Sequence, residues 1–219
     1  MKNPAEIAAE KVARLYSRHE HLADTVVHVL GIVFAINASV WLLFHVTGIS
    51  VVVSVTVYCV GLLAMIGFSA AYNLVPQHRP SKQVLRRLDH AAIFIMIAGT
   101  YTPFAVNRLG HSGTILLAII WLAATFGVAV KVLFPRRFEM AALALYLGMG
   151  WMIVTVIAPL AQSMAAVDFW LLMAGGLVYS AGVVFYVIER IPYHKAIWHT
   201  AVLAAVVLQF SSIALEFVH

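Results

Sequence analysis

The chain has 219 residues and a formal net charge of +5, with 63% hydrophobic and only 11% charged residues. Soluble domains carry about 25% charged residues, so a water-soluble fold is excluded and an all-α integral membrane protein is predicted. The basic excess does not point to nucleic acid, because Lys and Arg sit in short gaps between apolar runs and form no basic domain. Residues 1–24 hold Glu6, Glu10, Glu20 and Asp24 without a continuous apolar stretch, so no signal peptide is expected there. The stretch Pro4 to Tyr16 reads as a cytoplasmic, surface-lying amphipathic helix. A spanning helix needs about 20 apolar residues, and residues 25–219 offer seven such runs, near 25–46, 50–74, 89–107, 113–134, 139–159, 168–189 and 195–217. Short turn segments separate them, among them Thr47-Gly48, Pro76 to Pro80 and a turn at Pro192. The glycines at 148, 150, 175 and 176 are expected to permit close helix packing. Cys59, the single cysteine, lies inside an apolar run and reads as a small buried residue.

Orientation follows from the basic residues. Of 14 Lys and Arg, all but Arg108 fall at the N-terminus or in alternate gaps: Lys2 to Arg18, Arg79 to Arg87, Lys131 to Arg137, and Arg190 with Lys195. Positive charge is retained on the cytoplasmic side. An odd number of spans then puts the N-terminus inside and the C-terminus outside.

Ionisable groups within a membrane are costly and each needs a reason. Placed by depth, they gather in the inner leaflet: Asp24 and His28 on the first helix, Ser69 and Asn73 on the second, Asp89 and His90 on the third, His194, Lys195 and His199 at the start of the seventh. Asp24 and His28 share a face by i, i+4 spacing, as do Ser69 and Asn73. Carboxylate, imidazole and hydroxyl at one depth can hold a divalent metal and an activated water. Each residue also has a plainer reading. Asp89 suits the N-terminal turn of a helix, where the dipole favours an acid. His199 suits a hydrogen-bonded core position, and Ser69 with Asn73 suits interhelical hydrogen bonding.

The stretches Phe68-Ser69-Ala70-Ala71-Tyr72, Leu88-Asp89-His90-Ala91-Ala92-Ile93, Ile97-Ala98-Gly99-Thr100-Tyr101-Thr102-Pro103-Phe104 and Ala196-Ile197-Trp198-His199 resemble the hemolysin III family, the bacterial branch of the progestin and adiponectin receptor (PAQR) superfamily. The resemblance covers about residues 20–215 and implies a seven-helix bundle in the bacterial inner (plasma) membrane. In the receptor branch it also implies a zinc ion near the cytoplasmic face, held by one second-helix histidine and two seventh-helix histidines. An aspartate there holds water, with a serine close by. By that resemblance Asp89 and Ser69 are the catalytic pair and His199 is a metal ligand. Asn73 and Lys195 stand where the other two histidines belong, with His194 beside the latter.

Asn is a poor zinc ligand beside imidazole, and Lys195 is a cation where a metal would sit unless it snorkels to the interface. His194 and His199 are i, i+5, so they share a face only if the helix begins after His194. His28 or His90 could complete a site. These departures favour a membrane protein that binds a lipid or fatty acid in the inner-leaflet pocket, in lipid homeostasis or sensing, with Asp24, His28, His90 and Lys195 lining it. A zinc-dependent, ceramidase-like hydrolase of a lipid amide or ester is the alternative. A cytolytic pore, suggested by the hemolysin name, is the third; no helix carries a polar stripe across the full bilayer to support it.

Overall fold

A computed structural model describes residues 18–76, 78–134 and 136–218. The expected surface helix at Pro4 to Tyr16 lies outside the described residues. The described residues fold into seven helical rods: α1 Arg18–His45, α2 Ile49–Leu74, α3 Ser81–Arg108, α4 Gly110–Leu133, α5 Glu139–Ser163, α6 Ala166–Val187 and α7 His194–Phe217. Sheet pairing among the described residues is confined to an isolated bridge between Val46 and Val218, which ties the ends of α1 and α7 together. With connections this short, successive rods alternate in direction.

The rods are built inside out relative to a soluble bundle. On α1 the inward residues are Asp24, His28, Gly31, Ala35, Ala38 and Leu42, a small and polar stripe at 3.5-residue spacing. The outward face carries Leu22, Val26, Val29, Leu30, Val33, Ile36 and Val40, all exposed. Lipid tolerates that outer face, and the small inner face lets helices approach closely. α4 repeats the plan with Gly113, Leu116, Ile120, Ala124, Gly127 and Lys131 turned inward.

Six rods are long and apolar enough to cross a membrane; α3 is the exception. Its residues from Ala98 to Ala105 are buried without a break, and it packs on α2, α4 and α5. A helix sheathed by protein need not be apolar, because Thr100 and Thr102 return their hydroxyls to the Met96 and Ala98 carbonyls and Trp121 donates to the Thr102 hydroxyl. Against α2 the backbones nearly touch: a Cβ at Gly61 would lie 3.2 Å from the Met96 Cα, and one at Gly99 would lie 3.3 Å from the Val57 oxygen.

The expected packing role of the four α5 and α6 glycines holds for one. A Cβ at Gly175 would meet Gln209 at 2.7 Å, whereas Gly148, Gly150 and Gly176 face open space. α5 is also not a continuous α-helix. Between Met152 and Val156 it tightens into a 3₁₀ turn, held by Tyr101 of α3. The Ile153 N–H donates to the Tyr101 hydroxyl, whose oxygen lies 2.8 and 2.7 Å from the Met149 and Gly150 carbonyls.

Candidate functional site

At the end of the bundle that holds the start of α1, a cavity of about 430 Å³ is lined by α1, α2, α3, α5, α6 and α7. Ser69, Asn73, Asp89, His90, His194, Lys195, His199 and His28 all face it. Above it, a narrower chamber of about 90 Å³ runs deeper into the bundle between apolar walls that include Met96, Ile97, Phe104 and Leu172. Met65, Ile93, Tyr146, Tyr179 and Val202 line both spaces, so the polar cavity and the apolar chamber meet at that level.

α3 begins at Ser81, earlier than the apolar run suggests, because Lys82, Gln83, Arg86 and Arg87 are good helix formers. Asp89 therefore sits two turns inside α3 and is not an N-terminal-turn acid; the dipole effect fades within the first turn. It shares the cavity lining with Ser69 of α2. The Asn73 amide donates to the Ser69 carbonyl at 2.9 Å. α7 begins at His194 itself, after Tyr193 in the left-handed conformation at φ 59°, and not one residue later. His194 and His199 both line the cavity.

On the α1 side, two elements far apart in sequence meet. The His199 Nδ1–H donates to Asp24 Oδ1 at 2.6 Å, and Asp24 Oδ2 lies 3.7 Å from His28 Nε2. The two imidazole rings are 4.5 Å apart at their centroids. A carboxylate partner fixes the tautomer and the ring orientation of His199.

The zinc set implied by the resemblance does not fit these residues. Asn73 offers only an amide oxygen, a poor zinc ligand beside imidazole, while its nitrogen donates to the Ser69 carbonyl, and Lys195 adds a cation to the cavity lining. A different set does come together. Asp24, His28 and His199 each offer a donor atom, all within 4.8 Å of one another. His199 thus sits in a group with metal-ligand chemistry, while His194 and Asn73 line the cavity outside it.

A charged node on the opposite wall has no counterpart in the sequence reading. Glu139, the first residue of α5, accepts from Arg86 at 3.0 Å and from Lys131 at 2.7 Å, with His90 Nδ1 at 3.5 Å. His90 is thereby turned toward Glu139, and its carbonyl accepts from the Tyr146 hydroxyl. A signal existed: Lys131 follows Gly113, Leu116, Ile120, Ala124 and Gly127 on the inward stripe of α4, so it had to face a partner inside.

These features define a class: a multi-pass helical membrane protein with a buried polar chamber at one end of its bundle. The haemolysin-III related family matches residues 16–210, and the chain belongs to that family. It is 35% identical over 200 residues to the hemolysin-3 homolog of Bacillus subtilis (strain 168), covering 90% of this chain and 93% of that protein. It is 38% identical over 195 residues to hemolysin-3 of Bacillus cereus, covering 87% and 89%. Similarity extends to the human monocyte to macrophage differentiation factor, 28% identical over 204 residues, covering 89% of this chain and 83% of that protein.

Proposed function

We propose that this protein spans the plasma membrane seven times with its N-terminus in the cytoplasm, and that it binds a single-chain membrane amphiphile in lipid homeostasis or sensing. The observation that carries the reading is the junction of a polar cavity with an apolar chamber through Met65, Ile93, Tyr146, Tyr179 and Val202. An amphiphile fits such a pair of spaces with its headgroup among Ser69, Asp89, His199 and Lys195 and its tail against Met96, Ile97 and Phe104. Binding sites are typically apolar with a few fixed polar groups. The same arrangement argues against a pore, since the apolar chamber interrupts any polar path from the cavity toward the far end. The test is mass spectrometry of lipid copurifying with the chain, beside the Gly150→Leu and Gly176→Leu variants. Wild type retains a stoichiometric fatty acid or lysolipid and both variants lose it; an empty wild-type bundle rejects the reading.

One observation favours a hydrolytic second reading: Ser69 and Asp89 line the same cavity as His199. There the Asp89 carboxylate would take a proton from water while Ser69 positions a lipid amide or ester carbonyl. A divalent ion, when bound, would supply Lewis-acid polarisation and a more acidic water. Fatty-acid release from a ceramide-like amide, lost in Asp89→Ala, would establish hydrolysis in place of sensing; no release under metal-replete conditions would reject it.

A further inference from the structure

We infer that Asp24, His28 and His199 form a divalent transition-metal site that clasps α1 to α7, in place of a ligand set on α2 and α7. The inference shares His199 with the amphiphile reading but does not depend on a lipid being bound. Two imidazoles and a carboxylate make a donor set suited to zinc and its neighbours, leaving a position open to solvent or ligand. The geometry is close to what such an ion needs. Metal–nitrogen distances of about 2.0–2.1 Å put neighbouring donors roughly 3–3.5 Å apart, and His28 Nε2 already lies 3.7 Å from Asp24 Oδ2.

A second observation points into the same place. His28 is 5% exposed, and its Nε2 is buried with no hydrogen-bond partner. A buried polar atom left unpaired carries a desolvation cost, and an ion between the rings would remove it. For His199 Nδ1 to hold the ion, the proton it now donates to Asp24 would pass by way of solvent to Nε2, so that the ring ligates as neutral imidazole. The neighbouring charges on the cavity wall are the cations Lys195 and Arg86 and the carboxylates Asp89, Glu139 and Glu189, so the ion enters a mixed field. Lys195 opposes it, and Lys195→Ala tightens binding.

The test titrates cobalt(II) into the metal-stripped full chain in detergent. Wild type takes up one cobalt per chain with visible d–d absorption, reversed by zinc. His28→Ala and Asp24→Asn abolish the absorption, whereas Asn73→Ala and His194→Ala keep it. His28→Cys adds a thiolate-to-cobalt charge-transfer band, a gain of signal that a merely structural role for His28 does not give. No cobalt absorption in wild type, absence of that band in His28→Cys, or loss of binding in Asn73→Ala with retention in His28→Ala would each overturn the site.

Discussion

At the scale of single residues, the strongest commitments are cations placed where lipid would otherwise strand them. Lys131 is 2% exposed and reaches Glu139 at 2.7 Å. Removing one partner of a buried pair leaves an uncompensated charge, at about 3–5 kcal/mol when both are buried. Glu139 is 32% exposed, so water shares the load and Glu139→Gln should cost about 2 kcal/mol. Lys131→Met should cost less, because Glu139 keeps Arg86 and His90. Thermal unfolding in detergent checks the order; a larger loss in Lys131→Met would show that the network is not centred on Glu139. Lys82 serves differently. Its ammonium meets the Tyr72 and Val75 carbonyls and the face of the Tyr72 ring, so it closes the C-terminus of α2, where a cation is favoured. Lys82→Ala should lower stability by about 1 kcal/mol without altering the bound lipid.

Among the elements, α5 decides the shape of the apolar chamber. Its 3₁₀ turn depends on a phenolic oxygen from another helix. Tyr101→Phe leaves the Ile153 N–H and a carbonyl without their partner, at about 1–3 kcal/mol. The turn should then relax toward regular helix and shift Gly150 and Ile153, which line the chamber. Faster amide exchange at Ile153, together with reduced lipid occupancy, is the expected outcome. Protection unchanged from wild type would mean that the turn is set by α5 alone. The open glycines give the complementary test. Because nothing lies near the Cβ positions of Gly150 and Gly176, leucine there should displace the tail with little loss of stability. A leucine at Gly175 meets Gln209 and the Ala205 oxygen and should destabilise the bundle instead.

For the whole molecule, the distribution of Lys and Arg and the alternating rods lead to one prediction of topology. Arg79 and His111 are exposed at opposite ends. A membrane-impermeant thiol reagent should label His111→Cys in intact cells and Arg79→Cys only after permeabilisation. Cys59 is buried and should not interfere. The reverse pattern would invert the orientation and place the polar cavity on the outer face.

The sequence by itself determined the membrane class, the helical runs and the depth at which Ser69, Asn73, Asp89 and His199 gather. Apolar length and charge bias are local properties, and depth follows from counting along a helix of fixed rise. It also showed that Asn73 and Lys195 break the ligand set of the resembling family. Tertiary structure alone decided partners. Asp24 could be placed beside His28 from i, i+4 spacing, but its bond to His199, far along the chain, depends on α7 packing against α1. Glu139 looked like the start of a helix until α4 and α3 delivered Lys131 and Arg86 to it. The rotation of each helix about its axis, which chooses those partners, is fixed by which small-residue stripes interlock, and that is a property of pairs of helices.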